Sequence, residues 1–440
     1  MPNYAASAMS HSDLQAIKAS ILHCVDDPDR GGSDNIEYFP DGVLITENGI
    51  VTSCGSVHSV TVPDSARVID LTGKLLLPGF VDTHVHYPQV DVIAAYGTQL
   101  LEWLERYTFP AEAQFHDEAH AADAAGFFLD ELLKNGTTTA LVFGSVHPGS
   151  VDAFFTEAQS RKLRMICGKV MMDRHAPENL LDTAQSSYDQ SRQLIDKWHG
   201  KERLGYAVTP RFAPTSTNDQ LAMAGKLLRE HPELHLHTHM AENTNECDWV
   251  ASLFPGCEDY LAVYESYELV RKRSVFAHCI HLSDNAWRRL AKADASVAHC
   301  PCSNLFIGSG LFDLRSAQKH KVRVGLGTDV GGGDSFSILR SVNEAYKIQQ
   351  LQRHTITPEH AFYMATLGGA KALDLDAHIG NFAVGKEADF LVVDEAATPL
   401  MARRISTQKT WQERLFTLMM LGDDRCIEQT WIMGKRCQAN

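Results

Sequence analysis

Short apolar runs alternate with longer amphipathic segments through the middle of the chain. Eight of these runs predict β-strands, which end near His86, Phe143, Met172, Arg211, Glu242, His281, Asn304 and Asp329. Helical patterns separate the runs at a spacing of a few tens of residues, which is typical of βα units in a parallel sheet. The pattern therefore predicts an α/β fold built on a (β/α)8 TIM-type barrel, whose chemistry lies at the carboxyl ends of the strands.

A doubly wound sheet is the rival architecture. That fold needs a Gly-x-Gly-x-x-Gly fingerprint at its first turn, and none follows the first strand here. The two ends of the chain instead contain short segments with a β-strand pattern. They include a hairpin signal at Asn48-Gly49 and apolar runs at 388–393 and 430–433. We therefore predict a small β-sandwich domain from residues 1–75 plus 380–440, and a barrel domain over 76–379.

Charge and composition narrow the possible partners and locations. The 440 residues carry 55 acidic and 40 basic side chains, a formal net charge of −15, which argues against nucleic acid as a partner. No run of about 18 apolar residues predicts a membrane span, and the N-terminus lacks the order of a signal peptide. Ten scattered cysteines suggest reduced thiols in packing positions. We expect a cytoplasmic protein that binds no membrane.

Candidate metal ligands lie at the ends of three predicted strands. His84 and His86 are two residues apart on a strand, so their imidazoles share one face and can converge on one cation. His239 ends another alternating strand, and Asp329 ends the last one before Gly331-Gly332-Gly333. Neutral imidazole suits Zn²⁺ or Fe²⁺. For Asp329 the alternative role is a helix N-cap.

Two further residues are candidates for proton transfer. Glu242 lies three residues beyond His239 and reaches the same cavity from the following turn, which predicts a general base. His278 lies on an apolar strand, where the alternative is a histidine satisfied within the core. His235 and His237 lie deeper on the His239 face, and we expect them to pack and form hydrogen bonds rather than bind metal.

Several motifs together resemble one enzyme family over nearly the whole chain. They are the segments 78–89, 100–104, 108–112, 143–148 and 210–215, the strands of His239 and His278, and Gly327-Thr328-Asp329. The chain is similar to the amidohydrolase superfamily and, within it, to the guanine deaminases. The resemblance implies one catalytic metal per chain, usually zinc, on His84, His86, His239 and Asp329, with Glu242 and His278 beside it. It also implies a homodimer. Because the fourth strand ends in Arg211 and no lysine occupies a motif position, the two-metal branch of the superfamily is not indicated.

The implied reaction is guanine plus water to xanthine plus ammonia. The bound metal would lower the pKa of a water molecule, and Glu242 would carry its proton to the adjacent ring nitrogen, a shuttle that Asp329 can share. His278 would donate a hydrogen bond to the attacking oxygen.

Recognition of the base requires donors and acceptors that match its far edge. The guanidinium of Arg211 fits the O6 and N7 acceptors of guanine, and Gln89 fits a mixed edge such as O6 and N1–H. Phe212 or Trp103 would stack on the ring of the base or line the pocket. The alternatives are that Arg211 pairs with a core acid and that Trp103 packs a helix.

Two other function classes stay open at this point. One is a different hydrolase on the same scaffold, such as a cytosine, adenosine-type or triazine deaminase or an imidazolonepropionase. The other is a noncatalytic scaffold paralogue, which would have no need of the ligand residues and Glu242. A substrate panel distinguishes the first class, and metal analysis the second.

Overall fold

The computed structural model of the protein describes residues 13–97 and 99–437. Its strands are β1 (Leu14–Cys24), β2 (Ile36–Glu47), β3 (Ile50–Ser56), β4 (Arg67–Pro78), β5 (Phe80–His86), β6 (Thr137–Phe143), β7 (Arg164–Gly168), β8 (Val170–Met171), β9 (Gly205–Pro210), β10 (His235–Met240), β11 (Ser274–His278), β12 (Ser296–His299), β13 (Arg323–Leu326), β14 (Phe390–Val393), β15 (Ile427–Ile432) and β16 (Lys435–Arg436).

Helices connect the central strands and cover the outside of the sheet. They are α1 (Pro28–Gly31), α2 (Leu100–Trp103), α3 (Phe109–Ala113), α4 (Glu118–Lys134), α5 (Pro148–Ser160), α6 (Ala184–Trp198), α7 (Asn218–Glu230), α8 (Thr244–Leu253), α9 (Tyr260–Glu265), α10 (Asp284–Lys292), α11 (Pro301–Phe306), α12 (Leu314–His320), α13 (Ile338–Leu351), α14 (Pro358–Ala365), α15 (Leu367–Ala372), α16 (Pro399–Ile405) and α17 (Trp411–Leu421). A π-helical turn, Leu104–Thr108, joins α2 to α3. Among the described residues, no helix has the length and apolar character needed to cross a bilayer.

The strands β5 to β13 form the predicted barrel. They hydrogen-bond in the order β13-β12-β11-β10-β9-β7-β6-β5, all in parallel, and the short β8 extends the β7 position by pairing with β9. Side chains such as Val81, Leu141 and Ala277 fill the interior, and residues of α15 close it from the amino-terminal end. The prediction of a (β/α)8 barrel is confirmed, and the barrel opens at the carboxyl ends of its strands.

Three predicted strand ends were wrong, and one of them is the eighth, which is at Leu326 rather than near Asp329. The sixth barrel strand ends at His278 rather than near His281, because the backbone turns into the left-handed region at His278 and Cys279. The seventh ends at His299 rather than near Asn304, because Pro301 starts α11, where a proline needs no backbone N–H. Asn304 therefore lies on a helix above the strand ends.

The first and last barrel strands meet at a seam, which we define as the contact between residues 82–84 of β5 and 325–329 within and after β13. No continuous ladder joins them in the described part of the chain. Instead Asp329 N donates to His84 O (2.9 Å), Thr83 Oγ1 donates to Leu326 O (3.0 Å), and the Thr328 N–H and hydroxyl both donate to Asp82. Gly325 permits the approach, since a Cβ there would overlap Thr83 Cγ2.

Both ends of the chain contribute to one seven-stranded mixed sheet, in the order β16-β15-β14-β4-β1-β2-β3. Asn48 and Gly49 both have positive φ and form the predicted tight turn between β2 and β3. The prediction that the two ends build one small β domain is confirmed. Its boundaries at 75 and 380 stay a prediction, and residues 1–12 and 438–440 lie outside the described residues. Helix α17 packs on the barrel, where Tyr346 of α13 contacts Phe416.

Candidate active site

Three imidazole nitrogens and one carboxylate oxygen converge at the carboxyl ends of β5, β10 and β13. His86 Nε2 lies 3.2 Å from His84 Nε2 and 3.1 Å from His239 Nε2. Asp329 Oδ1 lies 3.2 Å from His84 Nε2 and 3.4 Å from His86 Nε2. All four side chains are buried or nearly so. The structure thus brings together the four residues that the sequence predicts as metal ligands.

The chemistry of these donors fits a divalent metal ion. His239 Nδ1 donates to the Arg211 carbonyl at 2.7 Å. The Nε2 of its neutral ring therefore carries a lone pair directed at the cluster. Burial lowers the pKa of His84, His86 and His239 well below the usual value, which favours the neutral form that binds metal. Ligand atoms about 2.0–2.1 Å from a tetrahedral Zn²⁺ lie roughly 3.3 Å apart, close to the spacing observed.

A second layer of contacts fixes the orientation of the ligands. His237 Nε2 lies 2.7 Å from His84 Nδ1, which gives this deeper histidine a hydrogen-bonding role. His235 Nε2 is bonded to the carbonyl of Leu373 at the far end of the barrel. Asp82 accepts the backbone N–H groups of His84 and Thr328, both at 3.1 Å. Burial raises the pKa of Asp82 to about 7.

Glu242 and His278 stand beside the ligand cluster. Glu242 Oε2 lies 3.4 Å from His278 Nε2, and Ser309 Oγ donates to Glu242 Oε1 at 3.1 Å. His278 Nδ1 donates to Asn304 Oδ1 (2.9 Å), so the loop and helix around α11 hold both residues. Burial, followed by the nearby Asp329 carboxylate, raises the pKa of Glu242 to about 8. A carboxyl group in this environment exchanges a proton near neutral pH.

The backbone at these strand ends adopts a conformation that non-glycine residues rarely use. Ala241 (φ 52°), His278 (φ 71°), Cys279 (φ 52°) and Asp329 (φ 52°) all lie in the left-handed region. Each such residue costs on the order of 1–3 kcal/mol and persists only where its surroundings enforce it. Clustering of this conformation at three strand ends around one cavity is typical of a functional site.

A cavity opens above the ligand cluster, and its non-atom space, open solvent included, amounts to about 400 Å³. It is lined by His86, Gln89, Leu100, Trp103, Leu104, Arg211, Phe212, His239, Glu242, His278, Ile307, Asp329 and Gly332. Every residue predicted to bind substrate is therefore at the cavity wall. Trp103 also donates through Nε1 to the Ala95 carbonyl (3.2 Å), and Arg211 also pairs with a buried acid, Glu112, through Nη1 (2.7 Å).

Comparisons with known proteins agree with this geometry. The model of the amidohydrolase family matches residues 75–437. The chain belongs to the amidohydrolase family. This amidohydrolase is 50% identical over 427 residues to a guanine deaminase of Escherichia coli K12, with 96% of the chain and 97% of the relative covered. The solved E. coli guanine deaminase superposes with a TM-score of 0.93, covering 96% of this chain and 99% of the other. A guanine deaminase from C. acetobutylicum, solved with guanine in its active site, is 27% identical with a TM-score of 0.88, covering 96% and 99%.

Four side chains that contact the site of this amidohydrolase were missed as site residues by the sequence reasoning. Asp82, Glu112, Asn304 and Ser309 each hydrogen-bond a residue at the cavity or its ligand cluster. Glu112 belonged to a motif that carried the family resemblance, and Asp82 lies two residues before His84, so both had a sequence signal. Asn304 and Ser309 had none, because the seventh strand was extended too far.

Proposed function

We propose that this chain is a guanine deaminase, which hydrolyses guanine to xanthine and ammonia in purine catabolism. One observation carries the proposal: a single cavity joins a set of metal ligands and a buried carboxyl group to the donor and acceptor groups of Arg211 and Gln89. The similarity to guanine deaminases over 96% of the chain supports the same substrate.

The cofactor that we propose is one Zn²⁺ per chain, with Fe²⁺ as the alternative. His84, His86, His239 and Asp329 would hold it, because three neutral imidazoles and a carboxylate suit either ion. Bound there, the ion would supply a water molecule of lowered pKa as the nucleophile.

The residues of the chain then divide the proton transfers. Glu242 accepts a proton from the attacking water and delivers it to N3, the ring nitrogen beside the amino-bearing C2 of guanine, and later helps ammonia to leave. Asp329, which lies in the ligand cluster, would share this shuttle. His278 Nε2 faces both Glu242 and Asp329, at 3.4 and 3.8 Å. Because Nδ1 already donates to Asn304, Nε2 can donate to the attacking oxygen only from the doubly protonated ring, and in that form it stabilises the charge that develops there. The sum is guanine plus water to xanthine plus ammonia.

The wall of the cavity orients the base. Arg211 donates toward the carbonyl edge of the purine, Gln89 supplies the complementary amide, and Phe212 and Trp103 confine the ring between them. We further propose that the enzyme is a cytoplasmic homodimer.

A substrate panel tests this function. Release of ammonia from guanine, adenine and cytosine should favour guanine over adenine by roughly 10⁴-fold, because adenine held in the orientation of guanine would place its 6-amino group against the Arg211 donors and would have no amino group at C2 to lose. Chromatography should identify xanthine as the product. Comparable turnover of adenine or cytosine would indicate another deaminase of the same family. Protein with no metal and no turnover would indicate a noncatalytic scaffold.

A further inference from the structure

Glu112 is a buried carboxylate that touches both polar residues of the substrate cavity. It lies on α3, is fully buried, and accepts from Arg211 Nη1 through both oxygens, at 2.9 and 2.7 Å. Gln89 Nε2 donates to Glu112 Oε1 at 2.9 Å. A buried carboxylate needs partners of this kind, so the three contacts form one unit.

The contact with Glu112 determines the orientation of the Gln89 side-chain amide, that is, whether its NH₂ group or its oxygen faces Glu112. A carboxylate accepts but does not donate, so it takes the NH₂ end of the amide and leaves Oε1 directed elsewhere. Oε1 lies against Gly331, where an added Cβ would overlap it, and Gln89 lines the cavity. Turning the amide over would place two oxygens against each other at a buried site, which is unfavourable.

The same helix also fixes Arg211. Glu112 holds Nη1, and Phe109, three residues earlier on α3, presents its ring 5.5 Å from the guanidinium carbon. Because the ion pair uses Nη1, the Nη2 and Nε groups are not needed for it. The Nη2 and Nε groups of Arg211 therefore remain available as donors to the cavity, while Glu112 and Phe109 fix the orientation of the guanidinium.

We infer that Glu112 is a positioning residue that sets the donor and acceptor polarity of the recognition edge. The edge presents an acceptor, Gln89 Oε1, beside the Arg211 donors. That order is complementary to a purine with N1–H beside a carbonyl at C6, and opposed to one with an unprotonated N1 beside a 6-amino group. The inference rests on the proposed guanine deaminase function, and it assigns the preference for the lactam edge to a residue that does not touch the substrate.

A pair of substrates isolates this effect. Guanine and 2,6-diaminopurine carry the same reacting amino group at C2, and they differ in the polarity of the N1 and C6 edge. For the unmodified enzyme, kcat/KM should favour guanine by roughly 10³-fold or more. An unmodified protein without activity on guanine would refute the proposed function itself, and this inference with it.

The variant Glu112→Gln should lose much of this preference. Its amide must place a donor against either Arg211 Nη1 or the Gln89 NH₂ group, and the conflict is relieved when Gln89 turns its NH₂ group toward the cavity. We expect kcat/KM for guanine to fall at least about 100-fold, and the ratio of guanine to 2,6-diaminopurine to narrow at least about 10-fold. An unchanged ratio, whether both rates fall together or neither falls, would overturn the inference while leaving the proposed function intact.

Two further variants distinguish a change in the donor and acceptor order of the recognition edge from a general loss of structure at the site. Glu395→Gln breaks another Glu–Arg pair, in which a buried Glu395 contacts a partly exposed Arg414 away from the cavity, and it should leave the ratio unchanged. The exchange Gln89→Glu/Glu112→Gln keeps one acid and one amide in contact and keeps an acceptor at the cavity, so it should restore the preference to within about 10-fold of the unmodified ratio. This double variant serves equally if Glu112→Gln does not fold, and its loss of preference would overturn the inference.

Discussion

At the scale of single residues, the site places two carboxylates in different surroundings. Asp329 Oδ1 stands 3.2 Å from His84 Nε2 within the ligand cluster, whereas Glu242 accepts from Ser309 at 3.1 Å and faces His278. Burial raises the pKa of both carboxyl groups, and the Asp329 carboxylate raises that of Glu242 further. Their different contacts suit different main roles, with Asp329 as a ligand that shares the proton transfer and Glu242 as the main carrier of the proton.

The variant Glu242→Gln tests this division. It keeps the size of the side chain and a hydrogen-bond acceptor for Ser309, but it cannot carry a proton, so we expect kcat for guanine to fall by roughly 10²-fold or more. Metal content by elemental analysis and the melting temperature should stay close to those of the unmodified protein. Turnover near the normal rate would remove Glu242 from the proton transfer.

Some site residues can be predicted from the sequence and others cannot, for a physical reason. His84, His86, His239 and Asp329 end apolar strands, and the parallel barrel brings such ends together whatever their separation in the chain. Glu112 lies on a short helix, 23 residues after Gln89 and 99 before Arg211. No periodic pattern links these three positions, so their contact emerges only once the segment from α2 to α3 is folded over the barrel.

At the scale of elements, the alternation of strands and helices was enough to predict the barrel, because each βα unit leaves its own signature. The end of the seventh strand was wrong because an apolar run continues past His299 into α11, and apolar periodicity alone does not separate a buried strand from a short buried helix. The seam was not predictable either. It depends on single contacts, such as the one in which Asp82 accepts from Thr328 at the opposite end of the barrel sequence.

Replacement of Asp82 tests the importance of the seam. In Asp82→Ala, the buried N–H groups of His84 and Thr328 lose their acceptor, which should destabilise the fold by about 3 kcal/mol or more. His84 is a ligand on one side of the seam, and Thr328 precedes the ligand Asp329 on the other side. Metal content should therefore also fall. Denaturant unfolding and elemental analysis measure the two effects.

A matched control exists in the same chain. Asp173 accepts from Thr217 N at 2.7 Å and from the Thr217 hydroxyl, a contact of the same kind at the start of α7. We expect Asp173→Ala to reduce stability without reducing metal content. Equal loss of metal in both variants would show that Asp82 has no special relation to the ligand cluster.

At the scale of the whole molecule, the ligand set draws on elements far apart in the chain. His84 belongs to the first barrel strand, His239 to a strand in the middle, and Asp329 follows the last. A bound metal would therefore connect both sides of the seam and the opposite wall. Binding to the folded chain alone stabilises it in proportion to the logarithm of ligand concentration over the dissociation constant.

Removal of the metal should therefore affect stability as well as activity. Purified protein should hold about one equivalent of transition metal per chain. Treatment with a chelator should abolish turnover and lower the melting temperature by several degrees, which corresponds to a loss of about 2–3 kcal/mol in a large domain. Added Zn²⁺ or Fe²⁺ should restore both properties. Full activity in protein shown to contain no metal would contradict the single-metal site.

The seam has a further consequence for which ions the site accepts. At the seam, β5 and β13 are joined by side-chain hydrogen bonds and one backbone hydrogen bond, and no β-ladder connects them within the ranges that the structure describes. The width of the gap between these two strands is therefore not fixed by a ladder. His84 and Asp329 stand on the two sides of that gap, with the Asp329 N–H bonded to the His84 carbonyl between them. Small movements of the gap change the space between the two ligands. Because no β-ladder fixes the width of this gap, that width would influence which ionic radius fits between the two ligands.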